Sequence, residues 1–224
     1  MAFIVAIDGP AGSGKGTITK LVGEKLGLVN IDTGATYRCV TLAALQKGYT
    51  LEQEEKIVEL LNEIQIELKK ENGKEKFYLN HIDVTDEIRT PKVNAMVSQV
   101  SHIPQVRDNM ANFQRKMAEG KDVIMEGRDI GTNVFPNADV KIYLDATPEE
   151  RAKRRILQNQ EKGIESTYEE ILENIKFRDH NDKTSSVAPL KQAEDAIYVD
   201  SSHLTIEEVT DKIIKIIQER REKK

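Results

Sequence analysis

Short apolar runs alternate with stretches of helical period along most of the chain. Phe3-Ile4-Val5-Ala6-Ile7 is a largely β-branched run that ends at Asp8 and enters a turn studded with Gly9, Gly12, Gly14 and Gly16. Ile18, Leu21, Val22 and Leu26 then recur every three or four residues, which predicts a helix. Gly27-Leu28-Val29-Asn30-Ile31 reads as a second short buried strand. A helix with Val40, Leu42, Ala43, Ala44 and Leu45 facing inward follows and stops at Lys47-Gly48. Thr50-Leu51-Glu52-Gln53 has capping-box spacing and opens a third helix to about Asn62. Lys92 to about Glu119 is helical, with a break near Pro104, and Val123–Glu126, Val140–Leu144 and Ile197–Val199 are further strands. Thr147-Pro148-Glu149-Glu150 joins an N-cap to a proline at the first helical position, and that helix ends near Lys162-Gly163. Ser166-Thr167-Tyr168-Glu169 starts another helix, to about Asn181, and Thr205-Ile206-Glu207-Glu208 starts the last.

One stretch breaks the alternation. Ile64-Gln65-Ile66-Glu67-Leu68 has the period of a half-buried strand, Glu71-Asn72-Gly73-Lys74 is a turn, and Phe77-Tyr78-Leu79 resumes the strand. Ile82, Val84 and Ile88 continue the apolar spacing to Pro91. The expected fold is therefore α/β: a five-stranded parallel sheet with helices on both faces, carrying an inserted small antiparallel sheet. Residues 1–224 read as a single domain with an embedded lobe.

Composition narrows the partners. A formal net charge of −5 and a pI near 5.6 offer no wide basic field, which argues against nucleic acid as the main partner. Local arginine clusters then point to small anionic ligands. The single cysteine, Cys39, excludes an intramolecular disulfide and a cysteine-cage zinc site. His81, His102, His180 and His203 show no metal-ligand spacing. No apolar run approaches the roughly 18 residues of a membrane span, and the start lacks a charged signal region, so a cytoplasmic protein is expected.

The chemistry begins at the first turn. Strand, glycine-rich turn and helix form the context of a phosphate-binding P-loop, in which backbone N–H groups and a helix N-terminus surround an anion. Lys15 adds a mobile charge. The strict pattern places Ser or Thr right after the lysine; here Gly16 stands there and Thr17 follows. Ligands of open parallel sheets bind beyond the strands' carboxyl ends. Beyond the second strand stand Asp32-Thr33 and Tyr37-Arg38, and beyond the third Glu126-Gly127-Arg128-Asp129. Converging arginines and carboxylates suit a second phosphorylated ligand beside a triphosphate, in a reaction where positioning and charge neutralisation dominate. Other readings remain open on these residues alone. Arg151, Arg154 and Arg155 also fit a solvated helix face paired with Glu149 and Glu150, and Asp129 also fits an Asx turn. A kinase for another small acceptor, an NTP-dependent switch or a silent nucleotide binder would share the P-loop, although the guanine-reading Asn-Lys-x-Asp element is missing.

The Gly-Lys-Gly-Thr form resembles the P-loops of nucleoside monophosphate kinases. Asp32-Thr33-Gly34-Ala35-Thr36-Tyr37-Arg38, Gly127-Arg128-Asp129-Ile130-Gly131-Thr132, Glu150-Arg151-Ala152-Lys153-Arg154-Arg155, Arg178-Asp179 with Asp182, and Ala188-Pro189-Leu190 together resemble bacterial cytidylate kinases, from about residue 3 to 217. The resemblance implies a monomeric enzyme that converts ATP and CMP or dCMP to ADP and CDP or dCDP with Mg²⁺. It implies a core of 1–32, 103–149 and 166–224, a monophosphate-binding lobe of about 33–102 and a helical lid of about 150–165. Gly9, Gly12, Ser13, Gly14, Lys15, Gly16 and Thr17 would hold ATP, with the Thr17 hydroxyl on the metal shell. In the acceptor site with Thr33, Arg38 and Arg128 would grip the CMP phosphate; Ser98, Arg107 and Asp129 would read the base; Arg178 and Asp182 would bind the sugar. A carboxylate suits cytosine, whose N4 amino group is a donor. Lys15, Arg128 and the lid arginines Arg151, Arg154 and Arg155 would form the catalytic set. Two departures stand out: Ser185 replaces a usual arginine, and Glu126 stands where aspartate is common.

Overall fold

The computed structural model describes residues 2–71, 74–161 and 163–223. The turn expected at Asn72-Gly73 and the expected helix end at Lys162 fall outside the described residues. In chain order the elements are β1 (Ile4–Asp8), α1 (Lys15–Leu26), β2 (Val29–Asp32), α2 (Thr33–Gln46), α3 (Glu54–Leu60), β3 (Ile66–Glu71), β4 (Lys74–Leu79) and β5 (Ile82–Asp83). There follow α4 (Pro91–Val100), α5 (Pro104–Ala118), β6 (Val123–Gly127), β7 (Val140–Asp145), α6 (Pro148–Glu161), α7 (Tyr168–Thr184), β8 (Ile197–Asp200) and α8 (Ile206–Arg221). The chain divides into two compact units, one made of Met1–Ile31 with Ala118–Lys224 and one of Asp32–Met117.

The first unit is built on a five-stranded sheet of order β2-β6-β1-β7-β8. β1 pairs in parallel with β6, from Ile4 opposite Val123 to Asp8 opposite Gly127, and with β7, from Val5 opposite Val140 to Asp8 opposite Tyr143. β7 pairs in parallel with β8, ending at Asp145 opposite Asp200. The chain leaves β1 for the β2 edge, returns to β6 and then passes over β1 to β7. The order therefore reverses at β1, and the crevice beyond such a reversal is where ligands of these sheets bind. Val5, Ala6 and Ile7 are fully buried, which is why β1 reads as an unbroken apolar run. Ile18 and Val22 of α1 and Val209, Ile213 and Ile217 of α8 pack with Val5, Ile7, Ile124, Ile142 and Leu144. Burying each such side chain stabilises the fold by about 1.5–3 kcal/mol.

Helix starts follow the local signals. Thr167 with Glu170 and Thr205 with Glu208 form reciprocal capping boxes at α7 and α8. The Glu150 N–H donates to the Thr147 hydroxyl at 3.2 Å before α6. α7 runs on to Thr184 rather than stopping near Asn181.

The second unit holds α2 to α5 and an antiparallel sheet of order β3-β4-β5. Ile66 pairs with Leu79 and Leu68 with Phe77, so one face carries the apolar side chains that the alternation predicted. β3 begins at Ile66 and not at Ile64, because the Ile64 N–H is taken by the Leu60 carbonyl at the exit of α3. Thr50 and Gln53 make the expected capping box, closed over a 3₁₀ turn (Leu51–Gln53) that precedes α3. This unit continues through Met117, and Ile103, Val106 and Met110 are buried with Val40, Ile57, Ile88 and Val97. Cys39 lies in this core, its thiol pushed up to about 12 by burial and the nearby Asp32 carboxylate.

Candidate active site

The glycine-rich turn joins β1 to α1 at the reversal point of the first unit. Gly9 has φ +155°, and a Cβ there would lie 2.0 Å from the Leu144 carbonyl oxygen, so the turn can hug β7 only with glycine at this place. Gly14 precedes α1 in a left-handed conformation and caps it with no side chain, which leaves the helix N-terminus to the loop. Lys15 is buried, and its Nζ donates to the carbonyls of Gly9 at 2.8 Å and Pro10 at 2.7 Å. Burial and the Arg128 guanidinium push its ammonium below the ordinary lysine range, while the Glu126 and Asp8 carboxylates hold it up.

Gly16 lies against β6. A Cβ at this position would sit 2.9 Å from Glu126 Oε1 on β6. Gly16 and the glutamate that stands where aspartate is common are thus neighbours in space.

The loop after β6 carries Arg128 and Asp129. Arg128 Nε donates to Asp182 Oδ2 on α7 at 3.0 Å. Asp129 is buried, and its Oδ2 accepts from Asn133 Nδ2 at 2.9 Å. The backbone beyond it, Ile130–Val134, winds into one turn of π-helix. That turn is tied to the phosphate loop's strand by Asp8, whose Oδ1 accepts from the Ile130 N–H at 2.8 Å and Oδ2 from the Gly131 N–H at 2.7 Å. Desolvation raises the Asp8 carboxyl from its ordinary 3.8 to about 6, against the pull of those two N–H groups.

The three arginines grouped by sequence on α6 fall in three settings. Arg151 is buried: its Nε donates to the Ala146 carbonyl at 2.9 Å, and Nη1 to the Ala11 carbonyl at 3.1 Å. Nη1 and Nη2 also form a fork on Asp179, at 2.8 and 2.5 Å. Arg154 is half-buried, and its Nη2 donates to the Ser201 carbonyl at 2.6 Å. Arg155 is exposed. The solvated-face reading therefore fails for Arg151.

With this geometry the chain can be compared with known proteins. The family model described as cytidylate kinase matches residues 5–219. The chain belongs to the cytidylate kinase family. Curated relatives named cytidylate kinase from Caldicellulosiruptor bescii and Caldicellulosiruptor saccharolyticus are 49% and 50% identical to it over 212 residues, covering 95% of this chain and 94% of each relative. A crystal structure of an uncharacterized protein from Eubacterium ventriosum shares the fold alone, with a TM-score of 0.51 and 14% identity over 96% of this chain and 98% of that one. No helix among the described residues is long and apolar enough to cross a membrane.

Of the remaining expected site residues of this cytidylate kinase family member, Thr33, Arg38, Ser98 and Arg107 lie in the second unit and Arg178 in the first. Thr33 is buried at the start of α2, where the Asp32 carboxylate caps the helix through the Ala35 N–H at 3.1 Å. Arg38 Nη1 donates to Asn94 Oδ1, and Asn94 Nδ2 to the Arg89 carbonyl at 2.9 Å. Arg107 is buried, donates to the Ser101 carbonyl at 3.0 Å and stacks over the Tyr37 ring at 5.6 Å. Ser98 is half-buried, and its carbonyl accepts from the Ser101 hydroxyl at 2.8 Å. Arg178 is exposed on α7, one residue before Asp179. Ser185 ends α7, its hydroxyl donating to the Val187 carbonyl at 2.8 Å. Sequence reasoning assigned no role to Asp8 or Asp179. A carboxylate closing a fully apolar strand was the one available signal for Asp8.

Proposed function

We propose that this chain transfers the γ-phosphoryl group of ATP to CMP or dCMP, giving ADP and CDP or dCDP. The observation that carries the reading is the pair of loops at adjacent strand ends, the Lys15 phosphate loop after β1 and the Arg128-Asp129 loop after β6, joined by the Asp8 carboxylate. One loop has the chemistry of a triphosphate cradle, the other that of a reader for a phosphorylated, amino-bearing base.

In this reading Gly9, Gly12, Ser13, Gly14, Gly16 and Thr17 offer ATP their backbone N–H groups, and Lys15 swings from the Gly9 and Pro10 carbonyls onto the terminal phosphates. Arg128 and Arg38 hold the acceptor phosphate, since a guanidinium fork matches two phosphate oxygens and offsets the repulsion between two anions. Asp129, already oriented by Asn133, accepts from the cytosine N4 amino group, with Ser98 and Arg107 completing the base site. Uracil presents an acceptor there and is disfavoured. Arg178 and Asp182 bind the sugar, and Asp182 orients Arg128. Arg154 and Arg155 on α6 contribute charge to the transferring group.

Mg²⁺ fits the donors present. The exposed Thr17 hydroxyl would stand on the ion's shell and the Glu126 carboxylate beside Gly16 would order its water, substrate phosphates supplying further oxygens; when bound the ion neutralises charge on the transferring group. Small-molecule substrates and a monomeric, cytoplasmic state complete the reading.

The test is ADP release with Mg-ATP and CMP, dCMP, UMP, AMP or GMP. Rapid turnover confined to CMP and dCMP is expected. Preference for another monophosphate would remove the base-reading assignment, and ATP hydrolysis indifferent to every acceptor would remove the kinase.

A further inference from the structure

The phosphate loop is shaped from outside as well as from within. Arg151 lies beneath it, the stem of its side chain 3.7–3.9 Å from the position a Cβ on Gly12 would take. Its guanidinium contacts the Ala11 carbonyl, and its remaining bonds go to the Ala146 carbonyl and to both oxygens of Asp179. Four of its five N–H groups are thereby engaged inside the protein, and only 2% of the side chain meets solvent. A guanidinium in this state has little left to offer a phosphoryl group.

What it does offer is orientation. In a trans peptide the carbonyl and the following N–H point to opposite sides of the chain. Fixing the Ala11 carbonyl on Arg151 therefore directs the Gly12 N–H away from α6. Gly12, with φ +78°, has the freedom to let this peptide rotate, so an external hold is needed. Asp179 fixes the hold: a bidentate carboxylate leaves the guanidinium plane one orientation.

We propose that Arg151 is a positioning residue of the ATP site, holding the Ala11–Gly12 peptide of the phosphate loop through a guanidinium set by Asp179. The inference rests on the assignment of this loop to ATP. It moves Arg151 from the arginines that act on the transferring group to the residues that prepare the nucleotide cradle, and it gives Asp179 a function.

The experiment compares wild type, Arg151→Lys, Asp179→Asn and the double variant, each checked for folding by circular dichroism. Equilibrium binding of a fluorescent ATP analogue and of CMP is read separately from kcat. Wild-type turnover with CMP tests the kinase reading independently, so its failure is distinguishable from failure of the positioning role. Lysine keeps the charge but cannot span Ala11 and both Asp179 oxygens, and loss of one charged hydrogen bond corresponds to about tenfold. ATP-analogue affinity should fall about tenfold in Arg151→Lys and several-fold in Asp179→Asn. CMP affinity should change less than twofold in both. The double variant should be no weaker than the weaker single one, because both break the same link. If Arg151→Lys were too unstable to measure, Asp179→Asn would decide alone. A fall in kcat with unchanged ATP affinity, together with a silent Asp179→Asn, would overturn the proposal by placing Arg151 on the transferring group. Equal losses for both nucleotides would overturn it by showing a general structural effect.

Discussion

Asp8→Asn tests how the two loops are joined, and its outcome can be worked out before the experiment. The Asp8 carboxyl titrates near 6 in the folded chain against an ordinary 3.8, chiefly because burial penalises its charge. The groups around it divide: the Ile130 and Gly131 N–H groups and Lys15 favour the carboxylate, and Asp129 opposes it. Between pH 4 and 6 the folded state holds a proton that the unfolded chain has released, so stability falls as pH rises through that window. At 1.36 kcal/mol for each pH unit of separation, the loss amounts to about 3 kcal/mol. Asparagine carries no charge and removes this slope. It also turns an amide NH₂ toward one backbone N–H, which costs about 1–3 kcal/mol at every pH. The variant should therefore be less stable than wild type at pH 4 and close to it at pH 7. Urea unfolding of both proteins at half-unit steps from pH 4 to 7 measures the difference directly. A constant gap across that range would refute the reasoning, since it would mean that Asp8 does not titrate in the window. The same variant should raise the KM for CMP more than that for ATP, because the Ile130–Gly131 turn loses its anchor.

Three further outcomes follow from individual contacts. Lys15→Met should leave the fold intact and reduce kcat by about 10³-fold, as removal of a single charge-stabilising donor does; an initial-rate assay at saturating ATP and CMP reads it. Gly9→Ala should unfold or fail to accumulate as soluble protein, because its Cβ would lie 2.0 Å from a backbone oxygen and a loss above about 4 kcal/mol follows; thermal melts that match wild type would contradict this. Asp129→Asn should reduce the preference for CMP over UMP by about tenfold or more in kcat/KM, and an unchanged ratio would remove its base-reading role.

Much of this was legible in the chain because each local signal agreed with its surroundings. The β1 strand, the glycine turn and α1 followed from apolar run, glycine spacing and helical period, and capping-box spacing fixed the starts of α8 and of the turn before α3; at α7 the box uses Thr167 and Glu170, one residue later than Ser166 and Glu169. Less legible was anything decided across the sequence. Nothing in the chain pairs Gly16 with Glu126, more than a hundred residues away, yet the fold sets them side by side. The resemblance placed 103–149 with the core, whereas Val106 and Met110 of α5 are buried among residues of the second unit. Arg151, Arg154 and Arg155 look alike in a charged run; only the fold separates a buried clamp from a half-buried contact and an exposed charge.

α7 brings the two loops into one mechanical frame. Asp179 and Asp182 stand three residues apart, so they share a helix face. One holds Arg151 and through it the Ala11 carbonyl; the other holds Arg128. One helix therefore ties the glycine-rich loop to Arg128, and under the proposed function it would set the spacing that phosphoryl transfer must control. Ser185 follows the end of α7. It lies past the last turn, with extended backbone (ψ 132°), and its hydroxyl is spent on the Val187 carbonyl and N–H. The serine closes α7 where an arginine would extend its reach, and the frame built by Asp179 and Asp182 stands without it.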